Sequence, residues 1–581
     1  MSQKQTSNYL GIDLGTSNCA VAIADEDHLS IGSITQKTSA DEQMSIDSLP
    51  SFLFIQPNGD IDAGAYAKQL SFDQTERVIT SAKSWLSVAD VDRNDKILPW
   101  QSNIEHKLSP VEASERLLSH IRENCTEAKS QEYVVLTIPA SFDEQARKLT
   151  ASACEHAGFS KVTLLEEPLA ALYSWLAQNE KDWRKTLTPG DLVLVFDVGG
   201  GTTDFSLVAI SENDGELNLE RIAVGPHLLL GGDNIDLFVA VKLQEDIKAK
   251  GHTLDSMQFR TLVQLSRTAK EQLLNTDQED YHISLAGGGS DLFASTISHT
   301  VSGSWLRQSV RDSFFPTTAK NERPDSAAAS LTEFGLPYAQ DPIVTKHLNR
   351  FLFDAARKIK EDQTSKLSQF ASDENTSDLI FPSHILFNGG STAAAGIQEQ
   401  ILNTFRKWFD KAPSVLPGNN HYQAVAEGAA YYHRLKAQGT GIKIKAKMLH
   451  SFYLEVEGGG LPIPGMPPAK KAICLVPQGS EEGATLELPA KIFTLRTGEK
   501  RSFHFYSSAD RPEDSLGSIV EDPANVFPSK FTLSTGIESH EEVETIKVSL
   551  STYISEAGVL QVYLNRLTGD QSWQLELDTR S

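Results

Sequence analysis

Two short stretches of this chain combine an aspartate with glycines and threonines in an order that suits phosphate chemistry. Asp13-Leu14-Gly15-Thr16-Ser17-Asn18 and Asp197-Val198-Gly199-Gly200-Gly201-Thr202-Thr203-Asp204 begin 184 residues apart. A phosphate needs several short N–H donors and no side-chain bulk, and glycine-rich turns supply both. The aspartate ahead of each turn can hold Mg2+, directly or through water, while the metal bridges phosphate oxygens. Asp204 adds a third acid, and Gly389-Gly390-Ser391 is a third turn of similar kind. No G-x-x-x-x-G-K-[ST] loop occurs and no G-x-G-x-x-G opens a helix, so the grip is neither a P-loop nor a dinucleotide fingerprint.

Such turns have to be held by strands. Residues 9–24 read as strand, glycine turn, strand, and residues 191–210 repeat that plan. Residues 134–139 are a buried strand ended by a proline, and 143–157 an amphipathic helix with an acidic start and Gly158 beyond its end. VTLLEEP is a further strand end, LAALYSWLAQ a helix, and 384–390 a strand running into a double glycine, with a helix after it to about Trp408. Strands alternating with helices predict an α/β fold. Two similar β-rich halves facing each other across a cleft explain the repeat, whose period is too long for a solenoid. Residues 316–332 and 371–378 read as polar loops; a helix is predicted from Ile343, with Val344, Leu348, Phe351, Ala355 and Ile359 as its core stripe. Gly287-Gly288-Gly289 and Gly458-Gly459-Gly460 lack a strand-end aspartate and read as turns.

After Lys436 the texture changes. AQGTGIKIKAK reads as a linker. The short strands FYLEVE, AICLVP, KIFTLR, SFHFYS, TIKVSLSTYI, VLQVYL and WQLELD follow, separated by Gly, Pro and Asp, which predicts an all-β sandwich. The boundaries drawn are 1–438, a linker at 439–450, and 451–581.

The chain has 581 residues, with 53 Lys and Arg against 77 Asp and Glu, a net charge of −24. A surface that acidic repels nucleic-acid backbones while leaving room for a local phosphate site. Cys19, Cys125, Cys154 and Cys474 are scattered without a C-x-x-C pair, which fits thiols in a reducing compartment. The first residues lack the apolar core of a signal peptide, and no apolar run is long enough to span a membrane. A soluble cytoplasmic protein with no nucleic-acid or membrane partner is expected.

YLGIDLGTSN, LTIPASFDEQAR, LLEEPLAAL, VFDVGGGTTDFS, LLLGGDNID, ILFNGGS and QAVAEGAA occur in the order found in the heat-shock-70 chaperones, and together the chain resembles that family over residues 9–430. LVPQGSEEGATLELP and STYISEAGVLQVYLN are similar to its peptide-binding β-sandwich, a looser match over about 451–580. The resemblance implies an actin-like two-lobed ATPase domain acting on ATP/ADP with Mg2+ and K+, coupled to a domain that binds unfolded or extended polypeptide. It assigns Asp13 and Asp197 to the Mg2+ shell, Lys83 to the γ-phosphate, and Glu167 and Asp204 to the attacking water and the metal. It assigns Gly15, Thr16, Ser17, Asn18, Gly199, Gly200, Gly201, Thr202, Thr203, Gly231, Gly232, Asp233, Lys270, Gly389, Gly390 and Ser391 to the nucleotide. Pro139 and Arg147 match positions that relay nucleotide state. Leu454, Val456, Phe493, Phe503 and Phe505 are expected in the peptide cleft.

The sequence departs from the family in four places. The two arginines that usually sandwich adenine are replaced by Glu271 and Ala393, and Arg267 stands where an acid is usual. Tyr422 could stack on a base in their stead. The linker, Gly441 to Leu449, carries three lysines in place of acid and leucine character. Thr163 occupies the position of an arginine that receives J-domain co-chaperones, which puts that control in doubt. No helical lid is expected after the sandwich. A nucleotide-sensing adaptor with little turnover, or a small-molecule kinase of the same superfamily, are the competing functions.

Overall fold

The computed structural model describes residues 8–577 apart from 27, 89–90, 130, 214–215, 227, 287–295, 326–335, 362–377, 419–420, 440–443, 446–447, 449, 458–469, 482, 489–490, 497–500, 509–510, 512, 528–529, 536–544, 555–559 and 570. The triple glycines at 287 and 458, nearly all of the loop read at 371–378 and most of the linker lie outside the described residues. The chain divides into two compact units, Met1–Lys443 and Ile444–Ser581.

The first unit contains two sheets with the same topology. In one, Tyr9–Leu14 pairs antiparallel with Asn18–Ala24 and parallel with Tyr133–Ile138, which in turn pairs parallel with Lys161–Glu166. In the other, Leu192–Val198 pairs antiparallel with Thr203–Asn213 and parallel with His384–Asn388, followed by Ser414–Val415. A further antiparallel strand, Leu29–Ile31 or Glu216–Val224, extends each hairpin. The repeat visible in the sequence is therefore a repeat of strand order and direction. It places Asp13 and Asp197 at equivalent points, each one residue before the end of its strand.

Local chemistry fixes the helices between these strands. Asp143 caps Glu144–His156 by accepting from the Ala146 amide at 2.7 Å. Helix Val344–Glu361 buries Val344, Leu348, Phe351, Ala355 and Ile359 against the second sheet, as their spacing predicts. Helix Ala424–Gln438 carries alanines and a glycine because it is gripped on two sides. Ala426 and Ala430 pack on Ala20, Ala22 and Ala24 of the first sheet. On its other side a Cβ placed at Gly428 would lie 1.7 Å from the carbonyl oxygen of Ala170, in helix Glu167–Gln178.

In the second unit every described strand pairing is antiparallel. One path runs from Thr485–Glu487 through Thr545–Ile554, Leu560–Arg566, Ser572–Leu577, Lys530–Thr535, Arg501–Ser508, Ser451–Glu457 and Lys470–Val476 to Ile519–Glu521. Its inward side chains, among them Leu454, Phe505, Val548, Val562 and Leu575, form one apolar core. Each of the seven strands read from the sequence is present. Among the described residues no helix is long and apolar enough to cross a membrane.

Exposed helical glycine replaced by alanine gains about 1 kcal/mol. At Gly428 the new methyl meets backbone that cannot rotate away, and overpacking costs about 1–3 kcal/mol. Gly428→Ala is thus expected to lower the midpoint of thermal unfolding; an unchanged or raised midpoint would show that the two helices are not in backbone contact.

Candidate functional site

The ends of the two hairpins meet. A Cβ on Gly200 would fall 2.0 Å from Ser17 Oγ, and one on Gly201 would fall 2.8 Å from Thr16 Cγ2, so the turns touch with no room for a further side chain in this arrangement. The third turn joins them. Gly389 has φ +81°, and a Cβ there would lie 2.3 Å from the carbonyl oxygen of Val198. Together they wall a cleft of about 920 Å³ whose lining includes Gly15, Ser17, Asn18, Gly199, Thr202 and Ser391.

Four carboxylates converge beside these turns. Asp13 and Asp197 are held by the residue directly across the parallel pairing: Thr137 Oγ1 donates to Asp13 at 2.8 Å, and Asn388 Nδ2 donates to Asp197 at 2.7 Å. Glu167 opens its helix and is ion-paired with Lys83. Asp204 accepts from Ser141 Oγ at 2.8 Å and from Thr202. Burial raises the pKa of all four, that of Asp13 to about 6 despite the pull of Lys83, and that of Asp197 well above the usual carboxylate range. Burial opposes the Lys83 ammonium, but Glu167 and Asp13 overcome it and hold its pKa above the ordinary lysine value. Beside the turns one lysine, Lys83, faces four acids, and Lys270 at the cleft wall is already paired with Asp236, so the cleft is short of positive charge.

That deficit is the test of whether Mg2+ fits. Among the described residues no three acidic, histidine or cysteine side chains close on one point as a ready metal cage. Mg2+ commonly keeps several waters and binds through one or two carboxylates plus substrate phosphates, so Asp13 and Asp197 fit it in that mode.

Several other residues named from the sequence are engaged by protein groups, two of them, Gly232 and Lys270, at the cleft wall. Thr203 is fully buried; its hydroxyl donates to the Leu230 carbonyl at 2.6 Å and is not available to a phosphate. Gly231 and Gly232 act largely as packing. A Cβ on Gly231 would lie 2.9 Å from the Gly199 oxygen, and the Gly232 and Asp233 amides bond the Gly199 and Gly200 carbonyls at 3.0 and 2.6 Å, so they buttress the turn from behind. Asp233 faces away from the cleft, accepting from Ser81 at 2.7 Å and Arg267 at 2.5 Å. Lys270 reaches the cleft wall, but its ammonium is held by Asp236 at 2.7 Å and the Gly232 carbonyl at 2.9 Å. Arg147 is buried, bonding the Ala140 and Phe142 carbonyls and Glu166, so it clamps the turn after Pro139. In the second unit Leu454 and Phe505 are 3% and 0% exposed, inside the core, and a peptide could reach them only if the sandwich opened. Val456, Phe493 and Phe503 are partly buried against that core.

Sequence reasoning missed the partners: Thr137, Asn388, Ser141, and Arg221, which pairs with Glu166 behind the site. The first two were accessible, since they stand opposite each aspartate once the strands are paired in parallel.

At the far end of the cleft lie Glu271, Leu274, Asn275 and Tyr422. The Asn275 amide donates to the Tyr422 hydroxyl at 2.9 Å, and Glu271 is paired with Lys68 at 3.1 Å. The Tyr422 ring stands over Gly390, where a Cβ would come within 2.9 Å of it. Among the described residues lining this end there is no arginine.

The family model described as Hsp70 protein matches residues 9–302, just over half of the chain. The chain belongs to the Hsp70 family. Similar curated proteins include the chaperone protein HscA homolog of Colwellia psychrerythraea, 30% identical over 289 residues covering 47% of this chain and 43% of that protein. The protein of the same name from Polynucleobacter necessarius is 30% identical over 293 residues, 48% of this chain and 44% of its own. That from Burkholderia lata is 29% identical over 323 residues, 53% and 48%. The chain thus spans under half the length of these relatives.

With no arginine at the far end and Lys270 already engaged, a base bound there would have no cationic platform, each face of which is worth about 0.5–2 kcal/mol. Calorimetry with Mg-ATP and Mg-GTP is expected to give dissociation constants of roughly micromolar or weaker, with little discrimination. Submicromolar ATP binding with strong selectivity over GTP would contradict this.

Proposed function

We propose that the first unit is an actin-like ATPase domain, its two sheets the cores of opposing lobes, and that ATP hydrolysis there governs polypeptide binding by the second unit. The observation that carries the reading is the contact of two aspartate-headed glycine turns, one from each sheet, beside the buried Asp197 and Asp204, the half-buried Asp13 and Glu167, and Lys83. In this reading Gly15 to Asn18 and Gly199 to Thr202 bind the phosphates through backbone amides. Bound Mg2+ supplies the positive charge that the acid-rich cleft lacks. Asp13 and Asp197 hold its shell, oriented by Thr137 and Asn388. Lys83 meets the terminal phosphate, and Glu167 and Asp204 orient the attacking water. Such chemistry rests on positioning and electrostatics.

For the second unit we infer binding of extended apolar polypeptide, with Val456, Phe493 and Phe503 the best placed of the named residues. The four cysteines, all free and buried, favour a reducing cytoplasm. A J-domain partner is not assigned: the Thr163 hydroxyl is already within hydrogen-bonding distance of Tyr133 at 3.0 Å and Lys436 at 3.3 Å. The second reading, a nucleotide-sensing adaptor with little turnover, draws on the engagement of both cleft lysines, Lys83 by Glu167 and Lys270 by Asp236.

Single-turnover hydrolysis of Mg-ATP separates the two. The wild type is expected to hydrolyse ATP faster when an unfolded polypeptide is added, and Asp197→Asn to lose about 100-fold or more of the rate. Equal, background-level rates in both proteins would retire the ATPase and leave the adaptor.

A further inference from the structure

A second cavity of about 980 Å³ lies in the first unit, behind the nucleotide cleft. The two are built back to back. Ser81 and Asp233 line the cavity where Lys83 and Gly232 line the cleft, and helix Ser256–Leu274 contributes Arg260 and Arg267 to one and Lys270 and Glu271 to the other. Nothing in the proposed ATPase reaction uses this space.

Its chemistry is mixed in a specific way. Trp85 and Trp100 contact each other with ring centroids 4.7 Å apart and form an aromatic wall. Leu98 and Val263 add aliphatic surface. The indole N–H of Trp100 is buried and has no hydrogen-bond partner among the described residues. Arg267 is fully engaged, bonded to Asp233 at 2.5 Å and Asp236 at 2.9 Å. Arg260, half-buried, has no ion-pair or hydrogen-bond partner among the described residues. Glu76 is an exposed carboxylate that also lines the cavity.

We propose that this cavity is a binding site for a small aromatic carboxylic acid, its ring against the Trp85–Trp100 wall and its carboxylate on Arg260. An aromatic wall beside an uncommitted guanidinium selects for both features at once, because guanidinium pairs with carboxylate through two parallel hydrogen bonds. Apolar walls with a few placed polar groups are the usual form of a small-molecule site. A neutral ligand would gain the aromatic contact alone. The inference does not depend on the nucleotide reading, since none of its residues has been given a role in that site.

The test is ligand-observed NMR and calorimetry on the full chain with 3-phenylpropionate and its uncharged counterpart 3-phenylpropanol. The acid is expected to bind at least about tenfold more tightly than the alcohol, the size of one charge-assisted contact. Arg260→Gln, a change at a half-buried position that leaves the core intact, is expected to abolish that difference while leaving the alcohol unaffected. Trp100→Phe is expected to keep the preference for the acid and weaken both ligands. Absence of binding by the acid up to roughly 10 mM would overturn the proposal, as would equal affinity for acid and alcohol, or a preference that survives Arg260→Gln.

Discussion

The architecture of the first unit depends on one close approach, that of the glycine turn after Asp197 to the turn after Asp13. Any side chain at Gly200 or Gly201 would occupy the space of Ser17 or Thr16. Backbone amides can therefore face a common polyanion from both sides. The same approach drives four carboxylates out of water, and burial raises the pKa of each. A cleft so constructed is electrostatically unfavourable unless positive charge enters to balance it.

Much of this was legible in the residues, and the reason is periodicity. The paired Asp-x-Gly turns and their flanking apolar runs gave the two hairpins, and the alternating strands of the second unit were equally plain. Contacts between segments distant in sequence were not legible. That Thr203 is bonded inward to Leu230, or that Asp233 turns to Ser81 and Arg267, follows from how helix Gly232–Ala249 docks on the turn. Motif position alone carries no information about which way a side chain points. The sandwich shows the same limit: alternation correctly put Phe503 and Phe505 on one face, but that face is the core.

Charge networks explain how the chain tolerates its departures. Arg267, standing where the family has an acid, is matched by buried Asp233 and Asp236, and Asp236 also captures Lys270. A buried ion left without its partner would cost several kcal/mol, on the order of 3–5. Arg267, Asp233, Asp236 and Lys270 therefore form one unit. The consequence falls on the far end of the cleft, where Lys270 is tied down by Asp236 and the Gly232 carbonyl.

The meeting of the two turns can be measured by crosslinking. The Gly200 Cβ position lies 3.1 Å from the Ser17 Cβ, about 0.7 Å inside the mean disulfide spacing of about 3.8 Å, so a small shift of one turn reaches it. In the full chain carrying Ser17→Cys and Gly200→Cys, mild oxidation is expected to form one intramolecular disulfide, seen by mass spectrometry as a linked peptide pair and by loss of two titratable thiols. Cysteines that stay reduced and separately reactive under the same oxidant would place the turns on different surfaces, and the phosphate site would not exist.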